Sequence, residues 1–98
     1  MKYLVIDAML NGSGIRDKYA GGYLAPEDLG LSKVIIQCLN AWLSKYADEH
    51  YKGYIDVASI DELDKEGKEI ALMIKRELQD VKMEYYSDAR MTSEMISV

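Results

Sequence analysis

The sequence predicts a single two-layer α/β domain over residues 1–98, with two long helices packed on a small two- or three-stranded sheet. Three observations lead there. Within Lys2–Ala8, the residues Tyr3, Leu4, Val5 and Ile6 form an unbroken apolar run, as a strand buried on both faces does, and the run is too short for an ordinary helix. Two later stretches, Lys33 to about His50 and Ser59 to about Gln79, carry apolar residues at helical spacing. Val81–Tyr86 then alternates apolar and charged residues, the pattern of a half-exposed strand that would pair with the first. Strand direction stays open: a crossover through a helix pair favours parallel pairing, whereas the long connection after the first strand also permits antiparallel pairing.

The first strand is closed by Asn11-Gly-Ser-Gly14, a cluster of turn residues. From Met9 to Gly30 no periodicity is evident, and the segment holds most of the glycines and the only proline. A loop of that length in a small domain is expected to be functional or to contain structure of its own. Pro26 suits the first turn of a short helix, with Glu27 and Asp28 favourable at its positive end and Gly30 as its stop. Ser32 is positioned to cap the first long helix. In that helix Ile35, Leu39, Trp42, Leu43 and Tyr46 form the stripe, widened by Val34, Ile36 and Cys38, so contact with both the sheet and the second helix is expected. Trp42 reads as a core anchor and Cys38 as a buried thiol. Tyr51, Gly53 and Tyr54 make the break.

Ser59-Ile-Asp-Glu62 matches a capping box and marks the expected start of the second helix. Ile60, Leu63, Gly67, Ile70, Ala71, Ile74 and Leu78 trace its apolar face. Gly67 on that face implies close approach of another backbone, with the first long helix as the neighbour. Ser87–Val98 keeps enough apolar character for a third short strand or a docking segment.

A lone Cys38 makes no internal disulfide, and no stretch has the length and apolarity of a membrane span or an export signal, so a cytoplasmic address is expected. One histidine, His50, and one cysteine supply no metal-ligand pattern and no nucleophilic triad. The chain is therefore not read as an enzyme, and no catalytic residue, cofactor or metal is assigned. Net charge is −5, which disfavours nucleic acid or an anionic membrane as a direct partner. That charge lies between Ala47 and Glu69, where eight acidic residues meet three lysines, while the remainder balances at nine of each sign. Eight tyrosines and no phenylalanine are the other anomaly. Tyrosines interleaved with carboxylates would give a basic protein partner both anchors and steering. The candidate partner-binding residues are Asp48, Glu49, Tyr51, Tyr54, Asp56, Asp61, Glu62 and Asp64.

Two alternatives stand beside this reading. Asp7, Ser13, Gly14 and Arg16 around the glycine turn would serve a nucleotide- or phosphate-binding domain or small enzyme, although the turn lacks the third glycine of the dinucleotide fingerprint and the Gly-Lys-Ser/Thr of a P-loop. Exposed tyrosines and methionines would serve a homo-oligomeric accessory protein.

Ser13-Gly-Ile-Arg16, Ala25-Pro-Glu-Asp-Leu-Gly-Leu-Ser32 and Leu39-x-x-Trp42-x-x-x-Tyr46 together resemble a group of small, mostly uncharacterised bacterial proteins that run from a first strand through a Ser-Gly-Ile loop into a Leu-x-Leu-Ser helix entry. The resemblance spans roughly the first half of the chain. Arg16 departs from it, standing where a large aromatic is expected. In size, acidity and lack of catalytic groups the chain is also similar to the immunity proteins of bacterial toxin systems, including contact-dependent growth inhibition. That similarity of type implies a cytosolic antitoxin that neutralises one cognate protein toxin, commonly a basic nuclease.

Overall fold

The computed structural model describes residues 1–97. Strands β1 (Lys2–Ile6), β2 (Ile15–Asp17), β3 (Val81–Ser87) and β4 (Thr92–Met95) form one mixed sheet in the order β2-β1-β3-β4. Helices α1 (Lys33–Tyr51) and α2 (Val57–Leu78) stand between β1 and β3 in the chain. The class is the one the periodicities predict, with more strands than expected. β1 and β3 pair in parallel, from Lys2 opposite Val81 to Ile6 opposite Tyr85. The crossover through the helix pair thus settles the direction that the sequence left open. β2 and β4 flank them antiparallel and form the edges. Thr92–Met95 supplies the anticipated C-terminal strand, whereas Val98 lies outside the described residues.

β2 is the unanticipated element, a three-residue strand inside the glycine-rich connection. It exists because Gly14 takes φ 92°, a conformation that suits glycine, and returns the chain along β1 so that Ile15 faces Ile6 in the core. Beyond it, Pro26–Leu29 forms the expected short 3₁₀ turn, stopped by Gly30 at φ 71°. Ser32 caps α1, its hydroxyl accepting from the Ile35 N–H at 3.4 Å.

The start of α2 differs from the capping-box expectation. Val57 and Ala58 already belong to the helix, and Asp56 is the cap, accepting from the Ser59 N–H at 3.2 Å and from the Ser59 hydroxyl at 2.9 Å. Aspartate caps as well as serine, so Asp56 adds the first turn and Ser59 becomes its third residue. Those bonds from Ser59, backbone first, hold the Asp56 carboxyl below its usual range.

α2 is the helix that lies on the sheet, against β3 and β1, and α1 packs chiefly on α2. Trp42 is fully buried and bridges the layers, its indole N–H donating to the Leu63 carbonyl at 2.8 Å and its ring lying 6.1 Å from that of Tyr85. Gly67 makes this possible. A Cβ there would sit 2.4 Å from the Tyr85 ring and 2.7 Å from the Trp42 ring, so the close approach is made by two aromatic side chains and not by a neighbouring backbone. The α1 stripe is narrower than the sequence suggests: Val34 is exposed and Cys38 only half-buried, because one side of α1 faces no other element.

Candidate functional site

The helix pair ends in a corner made of the last turn of α1, the connection Lys52–Asp56 and the first turns of α2. Its chain reversal uses Gly53 and Tyr54, both at positive φ. Exposed at this corner are Tyr51, Ile55 and Val57, at 78%, 79% and 64% of their full accessibility, within seven consecutive residues. Around them Asp48, Asp56 and Glu62 are exposed and make no ion pair among the described residues. An apolar centre rimmed by carboxylates is the composition of a docking surface, since each isolated apolar residue would otherwise gain by turning inward. Ile55 and Val57 escaped the sequence reading. Their signal was two β-branched residues beside a helix break with no periodic partner on either side.

Tyr54 is half-buried, its ring 6.0 Å from Tyr46 and its hydroxyl 3.3 Å from His50 Nδ1. It shapes the corner from within and offers a partner less surface than Tyr51 does. Asp61 is exposed but bound to Arg90, which the β3–β4 turn brings across the sheet edge. Glu66 is likewise paired with Lys45 at 2.6 Å. The charge excess seen along the chain is therefore smaller in space, and among the described residues its exposed carboxylates without an ion pair are Asp48, Asp56 and Glu62 at the corner and Glu69 further along α2.

Asp64 leaves the predicted surface altogether. It is 5% exposed and its carboxylate receives four bonds: from Tyr46 at 2.9 Å, Tyr85 at 2.6 Å, Ser87 at 2.8 Å and Arg90 Nη1 at 2.6 Å. It ties α2 to α1, β3 and the turn that follows β3. Its place was readable, because Asp64 falls four residues after Ile60 and three before Gly67, on the apolar face of α2.

The same chemistry recurs and accounts for four of the eight tyrosines. Asp7, 3% exposed, accepts from Tyr23 at 2.7 Å and Arg16 at 3.0 Å. Glu84, 8% exposed, accepts from Tyr3 at 3.1 Å and Lys18 at 3.2 Å. Each of these three buried carboxylates thus has a phenol and a cation. Phenylalanine would fill the same volume but leave the carboxylate short of a donor. Burial first and the neighbouring Asp64 second raise the Tyr85 hydroxyl well above its ordinary pKa, and burial takes Tyr46 up to about 12. Half of the tyrosines are thus an internal device.

Glu49 breaks the pattern. It is 8% exposed and follows Leu39, Trp42 and Tyr46 on the inner face of α1, but no tyrosine reaches it. Lys52 Nζ lies 3.7 Å from Oε1, and Oε2, closed to solvent, has no hydrogen-bond partner among the described residues. Glu49 lines a groove of about 530 Å³ between α1 and α2, with Lys45, Asp48, Ala58, Glu62 and Leu63. A larger cleft of about 700 Å³ lies between α2 and β4, and most of its charged groups are mutually engaged, Arg90 with Asp61 and Asp64, and Lys68 with Glu94.

At the glycine turn two polar groups are engaged within the chain. The Ser13 hydroxyl donates to the Leu24 carbonyl at 2.6 Å, and the Gly12 N–H donates to the Met9 carbonyl. A Cβ on Gly14 would lie 2.8 Å from Leu39, so this glycine is a packing position. Asp7, at the end of β1, is held by Arg16 and Tyr23, so the turn orders the strand ends. Just beyond β3, half-buried Asp88 has its carboxyl raised to about 6, by burial first and then by the charge of Asp7.

Among the described residues, no group of three or more His, Cys, Asp or Glu is placed to hold a metal ion, and no helix is long and apolar enough to cross a membrane. The chain matches no protein-family model, no curated protein and no solved structure.

Proposed function

We propose that the protein is a binding protein of the immunity type, docking a basic protein toxin, in the simplest case a nuclease domain, on the corner between α1 and α2. The observation that supports this reading is the exposure of Tyr51, Ile55 and Val57 inside a rim of the unpaired carboxylates Asp48, Asp56 and Glu62. A surface that binds phosphates is basic, and an acidic rim both steers its approach and excludes neutral competitors. The apolar centre supplies the lasting contact.

The experiment is a search of the neighbouring reading frames for a toxin domain, followed by binding kinetics against its purified product. Asp48→Lys/Glu62→Lys should slow association strongly at low salt and little at high salt, because exposed charges act through a screened field. Tyr51→Ala should mainly speed dissociation. The control is Glu27→Lys/Asp28→Lys, an equal charge change on exposed residues of the 3₁₀ turn, which lines a cleft with the end of α2. Equal slowing in the control, or unchanged kinetics in both corner variants, would reject the corner as the docking surface.

A further inference from the structure

We infer that the groove between α1 and α2 receives one arginine side chain of that basic partner, with Glu49 as the acceptor at its base; this deepens, and rests on, the reading of the corner as a docking surface. Three buried carboxylates of the molecule define what burial requires here. Asp7 and Asp64 each hold an arginine of the chain itself, Glu84 holds Lys18, and each accepts a tyrosine hydroxyl as well. Glu49 is buried to the same degree as Glu84, yet its Oε2 meets no donor, and Lys52 is mostly exposed and distant at 3.7 Å. Oε2 is closed off from solvent, so the oxygen that a donor entering the groove can reach is Oε1, and only that loose lysine stands against it among the described residues.

The lining specifies a cation over a neutral donor. Asp48, Glu49, Glu62 and Glu66 face Lys45 and Lys52, which leaves an excess of two negative charges, while Ala58 and Leu63 supply apolar contact. A guanidinium fits this mixture better than an ammonium. It is weakly hydrated, its flat faces pack on aliphatic groups, and its fork can bond Glu49 while a second N–H turns to the rim.

The probe is N-acetyl-arginine amide, titrated into the full chain and followed by NMR at the methyls of Ala58 and Leu63. A saturable shift is expected, with a much smaller response to the neutral citrulline analogue and a weaker one to the lysine analogue. Glu49→Gln should weaken the arginine probe about tenfold, the loss of one charge-assisted bond. Ala58→Arg, at an exposed position on the groove wall, should occupy the site from within and abolish the response. No saturable shift, an equal response to citrulline, or undiminished binding in Glu49→Gln would overturn the inference. Probe binding and docking are separable. A groove that ignores the probe in a protein still held by Tyr51 removes the groove alone, whereas a groove that binds it in a protein whose corner variants keep normal kinetics removes the docking surface alone.

Discussion

Asp64 and Glu49 are carboxylates on facing helices, buried to nearly the same extent, and they live in opposite surroundings. Asp64 accepts four hydrogen bonds from α1, β3 and the turn after β3; Glu49 has a loose lysine and one oxygen without a donor. A buried carboxylate is tolerable only when hydrogen bonds replace its hydration, and an unmet one costs on the order of 1–3 kcal/mol or more. The comparison separates the molecule into two parts. Toward the sheet, polar burial is complete and serves the fold. At the free corner of the helix pair it is incomplete, next to apolar groups that are not buried at all, and that combination is what a surface shaped for a partner looks like.

The largest expected effect breaks the sheet-side member of the comparison. Asp64→Ala removes the acceptor shared by Tyr46, Tyr85, Ser87 and Arg90, and has the largest expected cost because it takes the acceptor from several buried hydroxyls at once, each group left unmet costing about 1–3 kcal/mol. Urea unfolding gives the value. Glu49→Gln should leave the midpoint unchanged or raise it, since it relieves a buried charge that no hydrogen bond compensates at Oε2. If both variants lost similar stability, the contrast between the two carboxylates would be wrong. Tyr85→Phe should fall between them, at about 1–2 kcal/mol, because Asp64 keeps three donors.

Much of this was legible in advance, and the failures are physical. β1 announces itself by an unbroken apolar run, and β3 and both helices through periodicity. β2 has three residues, too few for any period, and is created by Gly14 and by pairing with β1. The buried carboxylates were legible in principle: Asp64 shares a helical face with Ile60 and Gly67, and Glu49 shares one with Trp42 and Tyr46. Their partners were not, since Tyr3 and Glu84 lie 81 residues apart and Tyr46 and Asp64 lie 18 apart. Composition showed many tyrosines without showing which hydroxyls are already engaged.

A smaller effect concerns the edge of the corner, where Asp56 both caps α2 and belongs to the acidic rim. Asp56→Ala should lower Tm by a few degrees through the lost bonds to Ser59, while Glu62→Ala should leave it unchanged. Had Ser59 been the cap, the order would reverse, because Glu62 would then close the reciprocal bond of a capping box. Thermal melts of the two variants separate these arrangements and also show which rim carboxylate can be altered in binding work without disturbing the helix.

The smallest effect comes from Asp88, which is intermediate between the two cases compared above. It follows β3 at the well-satisfied side of the molecule, half-buried, with no ion pair or side-chain hydrogen bond among the described residues. Burial, then the charge of Asp7, raises its carboxyl to about 6; Arg16 and His50 oppose the rise and Asp64 adds to it. The sign follows from linkage. The folded protein keeps the Asp88 proton to higher pH than the unfolded chain does, so its contribution to stability is fully present below about pH 4 and is lost as pH rises through about 6. Between those values the folded state binds the extra proton, and stability attributable to this group falls with rising pH. Asp88→Asn should remove that fall, giving a higher midpoint than the parent at pH 7 and little difference at pH 4. Denaturant midpoints of both proteins at the two pH values decide it. A parallel displacement at both would mean that Asp88 ionises alike in the folded and unfolded chain, and that the sheet side of the molecule satisfies this carboxylate as fully as it satisfies Asp64.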